Sequence, residues 1–100
     1  MPISIKIHRS YRLVVAVCDV NLLGKRFEED IRQLEIRESF FKGEIFEEED
    51  AIKILKKQSL EDATFNIVGK EAIQAAIKSQ IIASEGITKI NEIPFALVLI

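Results

Sequence analysis

The 100-residue chain has one cysteine, one histidine, one methionine, two prolines, four glycines, one tyrosine and no tryptophan. A lone cysteine closes no intramolecular disulfide. With a single histidine beside it, the chain lacks the ligands of a Cys/His zinc site, so neither a metal nor another cofactor is expected. Such cysteine usage fits a reducing compartment, and a cytoplasmic location is expected. No apolar run approaches the roughly 18–20 residues that a membrane span needs. The longest, Pro94 to Ile100, is a seven-residue tail. The first ten residues, MPISIKIHRS, have no long apolar stretch and do not read as a signal peptide. A basic excess is also missing. The net charge is −2, which lends nucleic-acid binding no support at the level of the whole chain.

What is present reads as one α+β domain over residues 1–100. Hydrophobic residues make up 48% and charged residues 30%, a balance that can bury a core and is not that of a disordered chain. Ile dominates, with 17 residues against 8 Leu and 6 Val, and the charge is carried mostly by Lys, Arg and Glu. Such a bias fits a hot environment or an AT-rich genome. The charge is unevenly spread. Residues 1–37 hold 7 basic and 5 acidic groups, and residues 38–62 hold 4 basic and 8 acidic. A mildly basic first third is therefore followed by an acidic middle.

The pattern predicts β-β-β-α-β-α-β. Ile3, Ile5 and Ile7 alternate with Ser4, Lys6 and His8, a strand with a polar, solvated side. Residues 12–18 are apolar almost throughout and predict a strand buried on both faces, paired with the first as a hairpin. Asp19 to Gly24 predicts a turn or one helical turn. Residues 31–37 predict a third strand, and Glu44 to Phe46 a very short one. Glu47 to Lys57 predicts a helix, with acids in its first turn and lysines in its last two, the signs that the helix dipole favours. Residues 63–68 predict an extended segment. Residues 70–82 predict a second helix, with Ile73, Ala76, Ile77 and Ile81 on its buried side. Ile87 to Ile90 and 94–100 predict further strands, the last inside the sheet. The expected fold is a mostly antiparallel mixed sheet with two helices packed against it.

Few groups suggest chemistry. Cys18 as a nucleophile needs an imidazole, and the hairpin places His8, the sole candidate, several residues away. A small apolar residue at a strand end is the plainer account. Asp19, Lys25 and Arg26 bracket a turn that could hold an anion or a partner peptide, or simply cap it. The segment Asn66 to Glu71 leads into a helix start, where free N–H groups with Gly69 and Lys70 could take a phosphate or carboxylate. It is no P-loop, because GxxxxGK[ST] is absent. The acids Glu28-Glu29-Asp30 and Glu47 to Asp50 match no metal-loop spacing and read as exposed charge. Tyr11 between Arg9 and Arg12 is the one place where an aromatic interleaves with cations, as a surface for single-stranded RNA requires.

Three segments, VVAVCDVNLLGKRFEE, FKGEIFEEEDAIKILKK and FNIVGKEAIQAAI, followed by the IPFALV tail, resemble a family of small archaeal proteins. The family is known as domain of unknown function number four hundred and twenty-four. Cys18, Asp19, Leu22, Leu23, Gly24 and Lys25 carry the first part of the likeness, and Asn66, Val68, Gly69 and Ala72 the second. The family implies an archaeal, cytosolic protein and supplies no catalytic residues. Its link to translation is one of analogy. Two functions follow as expectations. The first is a binding module for RNA or a ribonucleoprotein, with Arg9, Arg12, Lys25, Arg26 and Lys70 as contacts. The second is a module for a protein partner or for self-association through an apolar surface. A small enzyme using Cys18 and Asp19 ranks behind both.

Overall fold

A computed structural model describes residues 2–99. Its main sheet has six strands: β1 (Ile3–Arg9), β2 (Leu13–Asp19), β5 (Glu44–Phe46), β6 (Thr64–Val68), β7 (Thr88–Ile90) and β8 (Ile93–Val98). They lie in the order β5-β1-β2-β6-β8-β7, and β2–β6 is the one parallel pair among them. A separate ribbon pairs β3 (Arg26–Glu29) with β4 (Arg32–Glu35). Three α-helices are present among the described residues: α1 (Glu38–Phe41), α2 (Glu48–Ser59) and α3 (Lys70–Lys78). This is the α+β architecture that the pattern predicts.

Strand alternation divides the apolar residues between two cores. Ile3, Ile5, Val15, Val17, Phe65 and Ile67 meet Ala51 and Leu55 of α2 and Ala72, Ile73, Ala75 and Ala76 of α3. The small alanines let α3 lie close against the sheet. On the opposite face, Ala16, Cys18 and Val68 meet Leu22, Ile36 and Phe41, with Phe27, Leu34, Phe40 and Phe95 packed around them. That second core lies under the β3–β4 ribbon and α1. The two covers explain why β2 is apolar on both sides.

Several expectations need correction. The third strand is shorter than 31–37 and is the second arm of a hairpin whose first arm begins at Arg26. The hairpin turns at Asp30-Ile31, with Asp30 at φ +56°. The sequence carries no Asn-Gly or Asp-Gly to announce it. The polar side of β1 is not a solvated face. It anchors α1: Ser4 Oγ donates to the carbonyl of Phe41 (2.9 Å) and accepts from Gly43 N–H (2.8 Å), and Lys6 Nζ donates to the carbonyl of Ser39 (2.8 Å). His8 Nε2 lies 2.8 Å from the carbonyl of Phe40 and its ring stacks on that phenylalanine. Finally, α3 stops at Lys78, not at 82, and Ile77 is 39% exposed. Gln80 takes φ +66°, and Ile81 N–H returns to the carbonyl of Ala76. That is a Schellman stop with glutamine where glycine is usual.

Candidate functional site

At the carboxyl ends of β2 and β6 the chain brings together Asp19 and the start of α3, two segments that the sequence singles out separately. Asp19 Oδ1 accepts from Ala72 N–H (2.7 Å) and Oδ2 from Glu71 N–H (3.2 Å). The side chain therefore caps α3 across a sheet, and the N–H groups available to an external anion are taken by the protein's own carboxylate. Gly69 makes this possible. It sits at φ +107°, and a Cβ there would fall 2.3 Å from the carboxyl carbon of Asp19. Burial pushes the Asp19 carboxyl up from its usual range. The N–H groups of Ala72, Glu71 and Lys70 pull the other way. Beside it, a cavity of about 200 Å³ is lined by Asn21, Leu22, Lys70, Ile93 and Pro94. Lys70 is exposed at its rim.

Cys18 is fully buried in the second core. Its Sγ donates to the carbonyl of Asp19 at 3.1 Å. Burial, reinforced by the neighbouring Asp19 charge, pushes the thiol up to about 12, so it stays protonated at neutral pH. In the β1–β2 register Cys18 faces Ser4, while His8 faces Val14. No imidazole reaches the thiol. Among the described residues, no cluster of three or more His, Cys, Asp or Glu side chains could hold a metal ion. No helix among them is long and apolar enough to cross a membrane.

The cations proposed as RNA contacts divide into two groups. Arg9 and Arg12 flank Tyr11 at the β1–β2 hairpin, before β2 begins, and Tyr11 is 92% exposed. Lys25, Arg26 and Lys70 lie beyond the far end of β2, a separation of about 20 Å at the usual rise per residue. Arg26 is ion-paired with Glu28 at 2.9 Å. Asn66 belongs to neither group. It lies in the middle of β6, paired with Ala16 and Leu97, on the face away from α2 and α3. That face is covered only in part. Asn66 lines a groove of about 350 Å³ with Phe40, Phe41, Phe95, Leu97 and Glu35. The sequence displays these phenylalanines as scattered residues, and only the meeting of α1 with β6 and β8 gathers them.

The geometry defines an α+β protein with a partly uncovered sheet face. A crystal structure of an uncharacterized conserved protein from Methanopyrus kandleri has the same fold, with a TM-score of 0.89 at 23% identity over 98% of this chain and 90% of that one. The model of the family described as "Protein of unknown function (DUF424)" matches residues 8–100, and the chain belongs to that family. No curated protein matches it.

Proposed function

We propose that the protein is a non-catalytic binding module that takes single-stranded RNA, free or within a ribonucleoprotein, on the uncovered part of its sheet. One observation carries this reading: the groove that sets Asn66 beside the partly exposed rings of Phe40 and Phe95. Aromatic walls stack on bases of any sequence, and an amide at the floor can hydrogen-bond a base edge. Lys6 and His8 border the same face through their bonds to α1. The hairpin with Arg9, Tyr11 and Arg12 extends from the same strands and offers cations to the phosphates.

The test is anisotropy of a labelled single-stranded RNA dodecamer over a salt series. With three phosphates met by Lys6, Arg9 and Arg12, affinity falls about 20-fold between 50 and 200 mM salt. The double variant R9E/R12E removes most of the binding, whereas K25E/R26E, at the far end of β2, changes it little. Binding that ignores both salt and the hairpin arginines overturns the reading.

A further inference from the structure

The outer edge of β1 is only half occupied. β5 pairs with it over Ile3, Ser4 and Ile5 and goes no further. In an antiparallel strand, the N–H and C=O of successive residues point to opposite edges. Val20 N–H donates to the carbonyl of Pro2, so the even-numbered residues of β1 face β2. The odd-numbered ones face outward. Gly43 agrees with this, since a Cβ there would lie 2.1 Å from the carbonyl oxygen of Ile5. The backbone groups of Ile7 and Arg9 are thus turned to an edge where no strand of the described residues meets them. Charged side chains often guard such edges. Here Lys6 and His8 are drawn away to the carbonyls of Ser39 and Phe40.

Beside this edge, between β1 and α2, lies a cleft of about 410 Å³ lined by Ile5, Ile7, Phe46, Ile54, Lys57 and Gln58. Gln58 is only 6% exposed, and its Oε1 has no hydrogen-bond partner among the described residues. An unpaired buried carbonyl is costly and marks a place where a donor is missing.

We propose that this edge and cleft receive an extended acidic peptide of another protein, which adds a strand to β1 beyond the end of β5. The free N–H and C=O groups call for a strand and not for a compact small molecule. A residue opposite Ile7 projects toward the cleft, where an apolar side chain meets Ile5, Phe46 and Ile54. Its neighbours project to the other side, toward Lys6 and His8, where acids suit. Arg9 and Lys57 add positive charge at the two margins, against the single acid Glu44 at the β5 end of the cleft. The same charges argue against a second copy of this chain, because edge-to-edge pairing crowds the cations of both copies along one seam. The preferred ligand alternates apolar and acidic residues. The cleft is separate from the aromatic groove, although the edge shares Lys6 and Arg9 with the RNA surface, and the proposal does not depend on the RNA reading.

The experiment uses the full chain and a labelled decapeptide of alternating Val and Glu, with an alternating Val and Lys peptide as its counterpart. Binding is read by anisotropy and by amide hydrogen exchange. The Val/Glu peptide binds, and the Ile7 and Arg9 amides become protected by more than about tenfold. K57E, on the exposed surface of α2, weakens the peptide about fivefold and leaves RNA binding unchanged. Ile7→Pro removes an outward N–H and abolishes binding, but it can also unfold β1, so K57E is the deciding variant. Three results overturn the proposal: equal binding of the Val/Lys peptide, binding that leaves the Ile7 and Arg9 amides exchanging freely, or protection of those amides by protein concentration alone, which would assign the edge to a second copy.

Discussion

Asp19 and Gly69 act as one unit although 49 positions lie between them in the chain. The carboxylate needs the space that a Cβ at position 69 would fill, and the glycine needs a backbone conformation that other residues adopt only under strain. Asp19→Ala removes the cap of α3 and is expected to cost about 2 kcal/mol. Gly69→Ala is expected to cost more than about 2 kcal/mol, from strain and from displacement of Asp19. In urea unfolding, the double variant loses less than the sum of the two, by about 1–2 kcal/mol, because the cap can be lost only once. Cys18 makes a second prediction. Its thiol does not react with a disulfide reagent at pH 8 until the protein unfolds. The native state holds the thiol proton more tightly than the unfolded chain does. Its contribution to stability is therefore complete below pH 9 and lost as pH rises toward about 12. Cys18→Ala removes that part of the alkaline decline. The separation of Cys18 from the single histidine was legible in the sequence, because a short hairpin link sets His8 several residues along from it. The capping role of Asp19 was not, because nothing local to position 19 names a helix that begins at position 70.

Among the elements, α1 is the least able to stand alone. Its four residues are too few to sustain a helix by their own hydrogen bonds. It is held by the side chains of Ser4, Lys6 and His8, which reach three of its carbonyls. Ser4→Ala orphans two backbone groups at once, the buried Phe41 carbonyl and the part-buried Gly43 N–H, and is expected to cost about 2 kcal/mol. Amide exchange shows where the loss falls, with the accelerated sites at residues 38–43 and the α2–α3 core unchanged. Sequence periodicity reads such a strand correctly and its surroundings incorrectly. Alternation in ISIKIH states that one side is polar, and water is the usual partner for a polar side. A single helical turn can serve instead, and Phe40-Phe41 carries no periodicity by which to be recognised. β3, the first arm of the ribbon, escapes the sequence pattern for a related reason. Glu28, Glu29 and Asp30 look like free charge, yet Glu29 accepts from Asn91 N–H at 2.8 Å and pairs with Arg32 at 3.0 Å, tying the ribbon to the β7–β8 turn. These bonds hold the Glu29 carboxyl below its ordinary range, the Asn91 N–H more than the Arg32 guanidinium.

On the scale of the whole molecule, the sheet was foreseeable in kind and not in order. Uncharged runs such as 13–18 and 94–98 had to lie inside, and both do, flanking β6. The parallel pairing of β2 with β6 has no local signature, since it is decided by where a crossover of more than forty residues returns the chain. That pairing also decides where the candidate surfaces fall. It sets Asp19 beside α3 at one end, and it lays Asn66 between Ala16 and the β8 side of the aromatic groove.

The same pairing has a consequence for how the chain reaches this state. Val14 to Cys18 and Thr64 to Val68 meet at the centre of the sheet only after the long intervening loop has closed, a cost in chain entropy that comes before any reward. Folding is accordingly expected on the scale of milliseconds to seconds, not microseconds. Ile67→Ala slows the refolding limb in stopped-flow experiments, because the central pair belongs to the nucleus. Phe27→Ala, in the peripheral ribbon, acts on the unfolding limb. During the interval before closure, β1 and β2 exist as a hairpin without the rest of their sheet, and the inner edge of β2 is open to any strand that arrives before β6.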